Sequence, residues 1–155
     1  MRRYGRGVIT VGRVEVEETY ALRAEVLRNG APPEAARLPG DDGPGVATYA
    51  AMDADGRLIG CVGLFPEACP DLPGHPEKGW RIRGMATADG WRGKGVGAQV
   101  LQAALAHVAA GGGGLVWCNA RTPAARFYEH AGFQVIGEPW DDPEIGPHVR
   151  MWRAM

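Results

Sequence analysis

The chain has 155 residues, 45% of them hydrophobic and 23% charged, with a formal net charge of −1. That length suits one domain, 1–155, with a core of its own, and the near-neutral balance provides no global positive field to recruit nucleic acid. No apolar run approaches the roughly 20 residues that span a bilayer; no signal-peptide core follows the basic start MRRYGRGVITVGRVEVE; and Cys61, Cys69 and Cys118 form neither a CxxC pair nor a disulfide framework, so a reducing cytoplasm is the expected setting.

Val8 to Glu17 is valine-rich and alternates from Arg13, which predicts a first strand. Leu22, Val26 and Leu27 fall at helical spacing, and Asn29-Gly30 stops that helix. The stretch APPEAARLPGDDGPG is irregular, with room for one short helical turn after Pro33. Val46–Met52 and Arg57–Phe65 flank DADG and predict an antiparallel hairpin. A proline-broken loop, PEACPDLPGHPEKG, leads to a strand from Trp80 to Thr87. Val96, Val100, Leu101, Ala104, Leu105 and Val108 mark the apolar face of a helix that the tetraglycine Gly111–Gly114 ends. LVWCNA reads as a short buried strand. Thr122 as N-cap and Pro123 at the first helical position open another helix, and Gly132 closes it. FQVIGEPW and HVRMWRAM alternate as two last strands. The order β-α-(α)-β-β-β-α-β-α-β-β suggests an α/β fold in which one mixed sheet carries helices on its faces.

Three glycines, Gly93, Gly95 and Gly97, crowd the start of the helix that follows the fourth strand. Glycine costs about 1 kcal/mol relative to alanine inside a helix, so their place needs a reason. The first amides of a helix lack intrahelical acceptors and carry the positive end of its dipole. Bared by glycine, with Arg92 and Lys94 beside them, they suit a phosphate or pyrophosphate. A tight turn with a basic solvated face is the plainer alternative. A P-loop is excluded because Gly95, and neither Ser nor Thr, follows Lys94. The run from Gly93 to Ala98 formally matches GxGxxA, but a dinucleotide turn belongs after the first strand of a βαβ series, and this one lies mid-chain.

Arg92-x-x-Gly95-x-Gly97 resembles the [Q/R]-x-x-G-x-[G/A] motif of the GNAT superfamily of N-acetyltransferases. IRGMATADGWRGKGVGAQVL resembles that family's strand-turn-helix unit over its whole length. CNARTPAARFYEHAGFQVIGE resembles the following strand-helix-strand unit, ending in the F-Y-x-x-x-G-F phrase at Phe127 to Phe133. The resemblance covers roughly Val14 to Arg153 and implies the GNAT fold, with acetyl-coenzyme A as donor and co-substrate. It places the pyrophosphate on Arg92, Gly93, Lys94, Gly95, Val96, Gly97 and Ala98. It lays the pantetheine along Met85, Ala86 and Thr87, with the acetyl carbonyl polarised by the main-chain N–H of Met85 or Ala86, and extends the donor contacts to Ala124 and Phe127. Tyr128 matches the family's general acid toward the departing thiolate, a role a phenol can fill; packing is its alternative role. Where many members have the pantetheine-contacting Asn, this chain has Arg121, with Asn119 two residues earlier.

For the general base, His148 and Glu77 are candidates, and a water wire is a third route. No metal site is expected, because no His/Cys/Asp cluster has ligand spacing. Cys61 and Cys118 read as core residues, Cys69 as an exposed loop residue and His107 as solvent-facing. The resemblance implies an acceptor that is a primary amine on a small molecule or peptide. No nucleic-acid or membrane partner is expected, and the family's habit of pairing makes a homodimer an expectation. Acceptor contacts are expected from the first helix, Ala31–Gly45, Pro66–Gly79 and the last connection Pro139–Pro147, where Glu138, Asp141, Asp142 and Glu144 would draw a cationic amine or simply face solvent. A non-catalytic acetyl-CoA sensor is the alternative class.

Overall fold

In a computed structural model, which describes residues 8–72 and 79–155, the chain forms a seven-stranded mixed sheet. The elements are β1 (Thr10–Arg13), α1 (Tyr20–Leu27), β2 (Ala47–Met52), β3 (Leu58–Pro66), β4 (Gly79–Thr87), α2 (Val96–Ala110), β5 (Leu115–Arg121), α3 (Ala125–His130), β6 (Gln134–Asp142) and β7 (Gly146–Ala154). The strand order is β1-β2-β3-β4-β5-β7-β6. β4 and β5 run parallel, while β1–β2, β2–β3, β5–β7 and β6–β7 run antiparallel.

Contacts group the chain into two compact units. One comprises Met1–Leu64 and Gly84–Ala104, the other Phe65–Arg83 and Leu105–Met155. In the first, Leu22, Ala50, Cys61 and Ala86 form a buried cluster with Val14, Val26, Leu27, Leu58 and Ala88 packed on it. In the second, Cys69, Leu115 and Trp117 are buried together, with Leu72 and Trp152 against them. The periodic residues of α2, from Val96 to Val108, are each at most 1% exposed, as their spacing requires.

Five expectations change. The first strand is shorter than Val8–Glu17: β1 stops at Arg13, and Val16–Thr19 is a 3-10 turn. The Glu15 N–H donates to the Glu18 carboxylate at 2.9 Å, a local bond that competes with the ladder. Thr122 is not the N-cap of the last helix: a 3-10 turn begins at Thr122 after Arg121, and no side chain caps it. The final connection is mostly strand, because β6 and β7 leave only residues 143–145 between them. Asp142 holds that turn, accepting from the Glu144 and Ile145 N–H groups at 2.8 and 3.1 Å, bonds that pull its pKa down. Cys69 is buried, and His107 packs edge-on against Trp80 with 5.7 Å between ring centres.

Candidate active site

β4 positions the first part of the candidate site by where its pairing ends. Gly79 to Ile82 pair with Leu115 to Cys118, and the ladder stops there although β4 runs on to Thr87. Met85 and Thr87 are half-buried and Ala86 is buried. Ala88 N–H returns to the Ile59 carbonyl at 2.9 Å, so β4 stays fastened to β3 as it leaves.

The turn from β4 to α2 follows. Asp89–Trp91 is a single 3-10 turn, after which Arg92, Gly93, Lys94 and Gly95 are exposed. Gly93 and Gly95 have φ of +75° and +83°, and a methyl group on either would meet nothing within 4 Å. Space is therefore open, and what demands glycine is the left-handed backbone, which costs an L-residue roughly 1–2 kcal/mol. The first α-helical bond runs from Gln99 N–H to the Gly95 carbonyl at 3.1 Å. The amides of Val96, Gly97 and Ala98 precede that ladder and form the helix's positive end. Val96 itself is buried, so it offers its main chain and puts its side chain into the core. Arg92 pairs with Asp89 at 3.3 Å on an exposed surface, which offsets part of its charge without burying it.

Also in the first unit, a cleft of about 510 Å³ opens between residues 13–18, 41–43, 46 and 48. Glu15, Glu17, Glu18 and Asp42 give it an acidic rim, against Arg13.

In the second unit, α3 carries Tyr128 inward, 5% exposed, between Phe127 and Phe133, whose rings meet it edge-on at 5.1 and 5.5 Å. Burial pushes the Tyr128 hydroxyl well above its usual range, with the adjacent Cys118 adding to the rise. Cys118, on β5, is itself raised to about 12, chiefly by burial. Ala124 is half-buried at the entry to α3.

Asn119 is not free-standing. Its side-chain oxygen accepts from Arg150 Nε at 3.0 Å, and the two residues are direct partners across β5 and β7. Arg150 also donates to Asp71 at 2.7 Å, with its guanidinium 5.2 Å from the Trp117 ring centre and 5.5 Å from that of Trp140. Sequence reading did not single out Arg150; its alternation within β7 was visible, but its partners lie 31 and 79 residues away. Arg121, at the end of β5, is exposed and opposite His148 in register. His148 is 5% exposed, stacks on Trp140 at 5.6 Å and holds the Gly146 carbonyl through Nδ1 at 2.8 Å. Glu77 lies outside the described residues.

The family model of the acetyltransferase (GNAT) family matches residues 16–133. An N-acetyltransferase of Bacillus subtilis strain 168, the uncharacterized YitI, is 32% identical over 148 residues, covering 96% of this chain and 97% of its own. A GCN5-related N-acetyltransferase from Kribbella flavida superposes with a TM-score of 0.71 at 24% identity, over 95% of this chain and 98% of its own. An aminoglycoside 6'-N-acetyltransferase solved with coenzyme A does so at 0.68 and 15% identity, over 94% and 96%. None of the described helices is long and apolar enough to cross a membrane.

Proposed function

Since the chain belongs to the GNAT family of N-acetyltransferases, whose donor is acetyl-CoA, we propose that it transfers an acetyl group directly to a primary amine of a small molecule or peptide. Amine and donor would be bound together, with no acyl-enzyme. The observation that carries this reading is the turn before α2. It has two left-handed glycines, open space above them, and three amides ahead of the helical ladder. That arrangement suits a pyrophosphate on Arg92 to Ala98. The unladdered end of β4 suits the pantetheine, which would lie along Met85, Ala86 and Thr87 as an added strand. Ala124 and Phe127 complete the donor contacts.

The chemistry follows from the thioester. A neutral amine attacks the carbonyl carbon, the C–N bond forms, and the oxyanion is held by a main-chain N–H of β4. Of the two expected, Met85 and Ala86, Met85 is the donor on the open edge, because the Ala86 N–H turns toward the Cys61 thiol on β3. Collapse breaks the C–S bond, and the thiolate takes a proton from Tyr128. A hydroxyl raised by burial stays protonated at neutral pH, so it is always available as a donor. His148, Glu77 or a water removes the amine's proton.

The test is coenzyme A thiol release over a panel of amines, alongside calorimetric binding of acetyl-CoA. Release with at least one amine class is expected. Tight binding with no release across the panel would turn the reading toward an acetyl-CoA sensor.

A further inference from the structure

A strand edge that leaves its ladder must be held by other contacts. At Gly84 two features of the first unit supply them. The Cys61 thiol donates to the Gly84 carbonyl at 3.4 Å, and the guanidinium of Arg23, from α1, lies directly against the glycine. A methyl group at Gly84 would sit 2.7 Å from Arg23 Nε and 2.9 Å from Cζ and Nη2, and the Gly84 φ is +66°. Both the close approach and the backbone conformation therefore require glycine here.

Arg23 is an unusual residue to find there. It is 1% exposed, and its Nη1 donates to both Asp41 oxygens, at 3.1 and 2.9 Å. Its Nε and Nη2 are buried with no hydrogen-bond partner among the described residues. Burying unpaired donors of a charged group is costly, and such groups call for an explanation. The Tyr20 ring lies 5.8 Å from the guanidinium. Asp41 also accepts from the Leu38 N–H at 2.7 Å. A single ion pair thus ties α1, the 38–41 turn and the bend of β4 together.

We propose that Arg23 is a positioning residue for acetyl transfer: its guanidinium, held by Asp41, props the Gly84 bend and thereby aims the main-chain N–H of Met85. This rests on the reading of β4 as the strand that polarises the acetyl carbonyl. Arg23 acts through β4, and the 38–41 turn shares in the setting. Lysine is no substitute, because its single ammonium cannot both meet Asp41 and present the Nε, Cζ and Nη2 atoms that lie against the glycine.

The test uses the full chain with R23M/D41L and R23K. Replacing a buried ion pair with apolar residues of similar size is often neutral for stability, so the double variant is expected to fold, checked by thermal unfolding. Infrared difference spectra of bound acetyl-CoA with an isotope-labelled carbonyl report how strongly that carbonyl is polarised. In the wild type the stretch is expected below its free value. In both variants that shift shrinks and kcat falls about 10- to 100-fold, while the calorimetric Kd for acetyl-CoA stays close to wild type. A wild-type stretch and kcat in the folded double variant overturn the proposal; if that variant does not fold, the same result in R23K overturns it. No shift in the wild type itself removes the reading of β4, and the proposal with it.

Discussion

Around Gly93 and Gly95 the chain bares its backbone, whereas around Tyr128 it hides a side chain. The glycine turn is exposed, and its recognition groups are main-chain amides that any sequence would supply once the φ angles are met. Tyr128 is buried between two phenylalanines, with a thiol beside it, and its properties come from those particular neighbours. Backbone recognition is general and is set by local residues. Side-chain chemistry is specific and is set by distant ones.

The strongest way to break this contrast is Tyr128→Phe. It keeps the packing and removes the hydroxyl, so kcat should fall by about 100-fold or more, with acetyl-CoA binding close to wild type by calorimetry. Unchanged turnover would leave Tyr128 as packing only. The wild-type pH profile sharpens the point. Burial raises the hydroxyl's pKa, so the acid form persists as pH rises, and no Tyr128 limb is expected below about pH 10. A falling limb near 9 that disappears in the Phe variant would contradict the burial.

Gly95→Val attacks the other region. The valine meets no neighbour but must adopt a φ of +83°, so the turn should distort and acetyl-CoA bind about tenfold more weakly, a loss matching roughly 1–2 kcal/mol of strain. Saturating kcat should change far less, and a variant with normal Kd would show that the turn does not hold the donor. Lys94→Ala should weaken binding only about two- to threefold, as expected of an exposed charge, in the same calorimetric titration. The smallest effect concerns the thiols. Burial raises Cys61 to about 11 and Cys118 to about 12, so both stay protonated at pH 8 and the folded protein should resist iodoacetamide there. Rapid labelling of either, read by peptide mass, would mean that the fold opens locally.

What the sequence made legible follows the same division. The glycine turn and the apolar face of α2 are signals carried within about 20 residues, so pattern alone located them. Tyr128 was located through a neighbouring phrase, but its burial against Cys118 required the fold. Nothing local marked Arg23 and Asp41, 18 residues apart, or Arg150 with Asn119 and Asp71. Ion pairs of that kind are defined by how the chain returns on itself. The shortened β1 is a different case, since Glu15 and Glu18 sit at capping-box spacing and the alternation from Arg13 concealed it.

Ionic strength should act on this molecule unevenly. Arg92 and Asp89 are 59% and 85% exposed, and counterions reach them freely, whereas both partners of the Arg23–Asp41 pair are 1% exposed. At physiological salt, screening acts over about 8 Å in solvent and far less in the interior. Adding sodium chloride should therefore weaken any hold the basic turn has on phosphate, while the charge beneath β4 keeps its full strength.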